Sequence, residues 1–371
     1  MAEPLKNQFG AEVVRKIASM ISRAFPAFEQ DTFIKDALDG YESLELMPRG
    51  WKIARTLRGY LPADYPEAVE ILLESLGPKL DTTEDLGMAP FLYLPHGCFV
   101  AEYGLSHFEV SMRAQYELTQ RFSAEFSIRP FLAQHTEATL ARLREWARDP
   151  SPHVRRLVSE GTRPRLPWAA RLREFQRDPR PVLSLLELLK DDPSLYVRRS
   201  VANNLNDIGK DHPELLVETA RRWMNNATDE RRRLVRHALR SAVKRAEPAA
   251  LEVMGFGEEA KASVGNALIT PRRVLMGDSV EITFEVTNTD PRRQRILVDL
   301  RVHFMKANGK TSPKVFKLKA IDLAPGETVR VRKSVSLAEM TTRKHYAGVH
   351  RVEAVLNGHA KSLGEFELME G

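Results

Sequence analysis

Two arginine pairs recur at a fixed interval. Arg155 and Arg156 lie in Asp149-Pro-Ser-Pro-His-Val-Arg-Arg-Leu-Val158, and Arg198 and Arg199 in Asp192-Pro-Ser-Leu-Tyr-Val-Arg-Arg-Ser-Val201, 43 residues further on. A guanidinium fork suits phosphate, and it equally suits a carboxylate on a neighbouring repeat. For any single arginine the spacing favours the carboxylate tie; the recurrence favours phosphate contacts for the set. Around these pairs lie residues with other chemistry, Glu125, Asp207 and Trp168. A carboxylate can stabilise a developing cation and orient or deprotonate a water. An indole face attracts a cation. Spacing alone leaves plainer roles open. Glu125 fits a helix-end cap or a partner for Arg129, Asp207 a partner for Lys210 or Arg199, and Trp168 a core anchor behind Pro167.

Other chemistries find little support. His96 and Cys98 sit two apart in Tyr93-Leu-Pro-His-Gly-Cys98, but no further ligand block accompanies them. There is one cysteine, and the ten histidines lack a His-Glu-x-x-His spacing, so neither a disulfide framework nor a metal site is expected. No cofactor is expected either, since no glycine-rich phosphate loop follows a strand. Apolar runs fall well short of the ~20 residues that cross a bilayer. The opening MAEPLKNQFG has no apolar signal core. The expectation is a cytoplasmic protein without membrane contact.

Charge is distributed unevenly over the 371 residues. Residues 1–140 hold 13 Lys/Arg against 20 Asp/Glu, residues 141–250 hold 24 against 15, and residues 271–371 hold 18 against 12. Two basic regions therefore follow an acidic one. Basic regions of this kind suit a polyanion such as nucleic acid.

The elements that must hold these residues fall into two classes. Up to about residue 250 the apolar period is helical, as in Val110, Ala114, Leu118 and Phe122. The interval of 43 lies in the range of HEAT-like helical repeats, and Arg231-Arg-Arg-Leu-Val235 is a weaker third copy. Ser151 and Ser194 are placed to cap the helices that follow them. In the second copy Val197, Val201, Leu205 and Ile208 form the apolar stripe, Arg199, Asn203 and Asp207 form another, and Gly209 ends the helix. From about residue 270 the period becomes two. Ser279–Val286, Arg295–Phe304 and Thr328–Val335 alternate, with turn signals at Asn308-Gly309, Pro325-Gly326 and Asn357-Gly358. Six or seven strands in this length predict an immunoglobulin-like β-sandwich. The expected organisation is a HEAT-like α-helical solenoid over 1–254, a linker over 255–267 and an all-β sandwich over 268–371.

Three blocks narrow the reading. Glu125-Phe-Ser-Ile-Arg-Pro-Phe131, Ser159-Glu-Gly-Thr-Arg-Pro-Arg-Leu-Pro-Trp168 and Val197-Arg-Arg-Ser-Val-Ala-Asn-Asn-Leu-Asn-Asp207 resemble the signature blocks of the AlkC-type alkylpurine DNA glycosylases, members of the AlkC/AlkD HEAT-like superfamily. The resemblance covers about residues 5–250. One branch of that group carries a C-terminal immunoglobulin-like domain, with which residues 268–371 are consistent. The resemblance implies a monofunctional base-excision-repair glycosylase that hydrolyses the N-glycosidic bond of cationic alkylated bases, chiefly 3-methyladenine, without a closed base-flipping pocket. It places the family's catalytic carboxylates on Glu125 and Asp207 and its active-site aromatic on Trp168.

The implied partner is double-stranded DNA containing alkylated bases, bound by a monomer. Arg163 and Arg165, in the second block, join Arg155, Arg156, Arg198 and Arg199 as expected DNA contacts. In the sandwich, Lys306 and Lys310 in one basic stretch and Arg343 and Lys344 in another are the further expected contacts. The alternative is a non-catalytic HEAT-repeat scaffold that binds nucleic acid or a protein, which would need no convergence of Glu125 and Asp207.

Overall fold

The computed structural model describes residues 5–84, 87–339 and 344–370. Among them are sixteen α-helices followed by eight strands. The helices are α1 (Ala11–Ala24), α2 (Gln30–Leu38), α3 (Leu46–Tyr60), α4 (Tyr65–Glu74), α5 (Leu94–Tyr103), α6 (Phe108–Thr119), α7 (Ile128–Gln134), α8 (Thr136–Trp146), α9 (Pro152–Gly161), α10 (Arg173–Arg177), α11 (Arg180–Leu189), α12 (Leu195–Ile208), α13 (Pro213–Met224), α14 (Asp229–Ala238), α15 (Arg240–Lys244) and α16 (Pro248–Val253). The strands are β1 (Ala262–Thr270), β2 (Arg273–Leu275), β3 (Ser279–Asn288), β4 (Gln294–Met305), β5 (Thr311–Leu323), β6 (Thr328–Ser336), β7 (Gly348–Leu356) and β8 (His359–Met369). The chain divides into two compact units. One runs to Leu216 and includes Ala227–Ala238; the other holds Val217–Asn226 and the chain from Leu239 onward.

The repeat copies become α9, α12 and α14, and α12 packs against both of the others. Val154, Leu157 and Val158 of α9, Val197, Val201, Leu205 and Ile208 of α12, and Leu234 and Val235 of α14 are buried. Their apolar stripes form one continuous core, as stacked repeats require. Helix entry differs from the expected serine capping. Neither Ser151 nor Ser194 bonds its helix through the hydroxyl. The aspartates two residues earlier take the serine N–H groups instead, Asp149 Oδ1 from Ser151 and Asp192 Oδ1 from Ser194, each at 2.8 Å. A carboxylate accepts more strongly than a hydroxyl and closes an Asx turn ahead of the helix. Gly209 does end α12. A Cβ there would meet Leu216 Cδ2 at 2.3 Å, so the following helix approaches closely only because the residue is glycine.

The C-terminal strands form two sheets, ordered β1-β3-β6 and β2-β8-β7-β4-β5. Val280, Ile282, Phe284 and Val286 of β3 face Val298, Leu300, Val302, Val352, Ala354 and Phe366 of the other sheet's strands in one core. The Asn357-Gly358 turn joins Leu356 directly to His359, with both turn residues at positive φ, which is the two-residue hairpin the sequence signalled. The segment expected as linker is only partly one. β1 begins at Ala262 and pairs with β3. Its side chains are mostly exposed and its pairing with β3 shifts register between Gly265 and Leu268, so no period-two alternation marked it as a strand.

Candidate active site

The site is built where α9, the loop after it and α12 face the turn before α7. Gly161 ends α9 against Ile128 of α7, whose Cγ2 would lie 2.6 Å from an added Cβ. This close approach brings Glu160 and Arg156, one helical turn apart on α9, to Glu125. A groove of about 530 Å³ opens here, lined by Glu125, Arg156, Glu160, Arg163, Trp168 and Arg199 among others. The lining also includes Phe91 and Phe122, whose rings lie 5.0 Å apart. Phe122 continues the apolar spacing of α6 but lies past the helix end at Thr119 and borders the groove.

An alternating chain of charges runs along and beneath this groove. Glu125 Oε2 accepts from Arg156 Nη1 at 2.7 Å and from Ser123 Oγ at 2.7 Å. Arg156 Nη2 stands 3.8 Å from Glu160 Oε1. Glu160 Oε1 accepts from Arg163 Nη1 at 2.6 Å, and its Oε2 accepts from Ser200 Oγ at 2.6 Å. Arg163 Nε donates to Asp207 Oδ2 at 2.8 Å, and Lys210 Nζ donates to Asp207 Oδ1 at 2.7 Å. Three carboxylates thus alternate with three cations. Burial by itself would push the Glu160 carboxyl up, but the Arg156 and Arg163 charges and the Ser200 hydroxyl outweigh it and hold it below the ordinary range. Burial would likewise lower Arg156; Glu125 and Glu160 reverse this and raise it. Arg156 also lies over the Tyr196 ring, 5.0 Å from its centroid.

The expected residues occupy distinct positions. Glu125 pairs with Arg156, and Arg129 bonds elsewhere; its Oε1 carries no hydrogen bond among the described residues and is the acceptor left for a ligand. Asp207 is 1% exposed, lies behind Arg163 and has both oxygens engaged. Trp168 is 60% exposed, so it anchors no core. It sits in the loop from α9 to α10 at φ +62°, a left-handed conformation that a bulky side chain adopts only where its surroundings enforce it.

The arginines separate into two kinds. Arg155 forks onto Asp192, Nε to Oδ2 at 2.6 Å and Nη2 to Oδ1 at 3.1 Å, and ties α9 to the entry of α12. Arg165 pairs in the same way with Asp211. Arg198 donates to the carbonyls of Asp192 and Pro193, just as Arg155 does to those of Asp149 and Pro150. With Arg156 and Arg163 inside the charge chain, Arg199 is the one of these six that is exposed at the groove and has no ion pair among the described residues.

In the sandwich unit, Lys306 and Lys310 flank the exposed β4–β5 turn, where Lys306 N donates to Lys310 O at 2.9 Å. Lys344 is exposed, and the ring of its neighbour His345 lies 5.5 Å from that of Phe304, so Lys344 lies at the same end of the sandwich as Lys306 and Lys310. Arg343 lies outside the described residues. Of two further buried residues, Glu160 escaped the sequence reading and Arg129 entered it only as a partner for Glu125. Glu160 lies inside the second block and Arg129 inside the first, but only tertiary contacts reveal what each joins. Among the described residues no group of His, Cys, Asp and Glu could hold a metal ion, and no helix is long and apolar enough to cross a membrane.

Comparison with known proteins agrees with this architecture. Residues 121–246 match the family described as DNA alkylation repair enzyme, and residues 263–370 match the family described as Uncharacterised protein YhaZ, C-terminal Ig-like domain. The chain is 34% identical to the Bacillus subtilis (strain 168) protein named Uncharacterized protein YhaZ, over 98% of this chain and 99% of that one. Among solved structures it is similar to the Pseudomonas fluorescens alkylpurine DNA glycosylase AlkC bound to DNA containing an abasic site analog. That match has a TM-score of 0.93 and 39% identity, and covers 99% of this chain and 100% of the other. With its repeat helices, charged groove and C-terminal sandwich, this chain belongs to the AlkC-type family of alkylpurine DNA glycosylases, in the branch with an immunoglobulin-like domain.

Proposed function

We propose that the protein is a monofunctional DNA glycosylase that hydrolyses the N-glycosidic bond of cationic alkylated bases in double-stranded DNA, chiefly 3-methyladenine. The observation that carries this reading is the bordering of one groove by Glu125, one of whose oxygens accepts no hydrogen bond among the described residues, by the exposed Trp168, and by an arginine chain that leads to Asp207.

Methylation at N3 makes the base a cation and so a good leaving group, and no strong general acid is required. As the C1′–N bond lengthens, positive charge develops on the sugar. Glu125 offers its Oε1 to that charge and to the attacking water, while Arg156 and Ser123 hold the other oxygen still. Asp207 is the second proposed catalytic carboxylate; it lies behind Arg163, which with Lys210 holds both its oxygens. The Trp168 face packs on the sugar or the cationic base, worth about 0.5–2 kcal/mol. An open groove of this kind works on a lesion left in the duplex, unlike the closed pockets that take flipped bases.

Arg199 at the groove and the Lys306, Lys310 and Lys344 end of the sandwich are the proposed phosphate contacts. The test is release of methylated bases from methylated genomic DNA, resolved by base identity. Release of 3-methyladenine in excess over 7-methylguanine is expected. No base release, with DNA binding intact, would replace this reading with a non-catalytic scaffold.

A further inference from the structure

Arg129 is 5% exposed and has no carboxylate within hydrogen-bonding distance among the described residues. All its recorded hydrogen bonds go to backbone carbonyls. Nη1 donates to Gly161 O at 3.1 Å and to Arg163 O at 2.9 Å, while Nε and Nη2 donate to Ala170 O at 3.1 and 2.5 Å. A buried guanidinium with no directly bonded carboxylate is unfavourable unless its donors are satisfied, and here the Glu125 and Asp207 charges act only from a distance. Burial, followed by the nearby Arg163 charge, lowers its pKa to about 10.

The three carbonyls are not scattered. Gly161 and Arg163 precede Trp168 and Ala170 follows it, so one side chain from α7 clasps both ends of the α9–α10 loop. The loop is closed again by Leu172 N donating to Pro164 O at 3.2 Å. At its tip Trp168 is in the left-handed region and 60% exposed, so burial of the indole in a core is not what enforces that conformation.

We propose that Arg129 is a positioning residue, which fixes the loop on both sides of Trp168 and thereby sets the indole against the groove. The inference rests on the proposed role of Trp168 in excision, and the test separates the two.

Two measurements on the full chain decide it. The first is a double-mutant cycle on the single-turnover excision rate. Arg129→Lys, which replaces the fork with one donor group, is expected to slow excision about tenfold. In a Trp168→Ala background the same change should cost less than about twofold. The second uses chains labelled with fluorotryptophan, whose four tryptophans give four fluorine lines. The Trp168 line, assigned by its loss in Trp168→Phe, should shift or broaden in Arg129→Lys while those of Trp51, Trp146 and Trp223 stay in place.

Equal losses in both backgrounds, or an unmoved Trp168 line, would overturn the proposal. So would collapse of all four lines in both Arg129→Lys and Arg129→Gln, which would make Arg129 a residue of the fold at large. If Trp168→Ala excises at the full rate, the role of Trp168 fails, and the fluorine line still reports whether Arg129 positions it.

Discussion

Arg163 Nε lies 2.8 Å from Asp207 Oδ2 and reaches it from the α9–α10 loop, 44 residues earlier in the chain. The same guanidinium holds Glu160 through Nη1. One side chain therefore couples the buried Asp207 of α12 to Glu160, at the middle of the charge chain, and Arg156 carries the chain on from Glu160 to Glu125.

Glu160 is the midpoint of that chain, and its removal is expected to be costly. Glu160→Gln leaves Arg156 paired with Glu125 alone and Arg163 with Asp207 alone, an excess of buried positive charge that is expected to cost about 3 kcal/mol near neutral pH. Its folded-state pKa lies below the ordinary 4.5, so its contribution is complete above that value and is lost as pH falls through the folded value. The gap in melting temperature between wild type and variant should therefore be wide at pH 7 and narrow towards pH 3. A gap that does not change with pH would contradict this.

The two kinds of arginine should separate in binding experiments. Arg199→Ala is expected to flatten the plot of log K against log salt by about one unit, as the loss of one phosphate contact does. Arg155→Ala is expected to leave that slope unchanged and to lower the melting temperature, because it breaks the fork onto Asp192. Reversed results would exchange their roles.

The sandwich is best tested within the full chain. A cut near Gly265 would divide β1, and the helices from Leu239 onward belong to the same compact unit as the sandwich. Lys306→Ala, Lys310→Ala and Lys344→Ala combined should flatten the salt plot by up to about three units if the proposed contacts are made. An unchanged slope would leave this end of the sandwich without a role in DNA binding.

Much of this architecture was legible in the sequence. The interval of 43, the stripe Val197–Val201–Leu205–Ile208 and the Asn357-Gly358 turn are local signals, and local physics decides them. What was not legible depends on distant parts of the chain. Glu160 reads as an ordinary helix residue until Arg163 and Ser200 close on it. Arg129 reads as a partner for Glu125, four residues away, yet it binds carbonyls more than thirty residues on. Ser151 and Ser194 had the right type for caps, but the aspartates before them are stronger acceptors. β1 lacked alternation because most of its side chains face solvent.

On the proposed reading, excision depends on Glu125 at the groove and on Asp207, buried behind Arg163. Single-turnover release of 3-methyladenine at saturating enzyme tests it most directly, with Glu125→Gln and Asp207→Asn compared with wild type. Each change keeps the shape of the side chain and removes its charge. Each is expected to lower the rate by more than about tenfold, a barrier increase above about 1.4 kcal/mol, while affinity for lesion DNA changes little. Wild-type rates in both variants would contradict it.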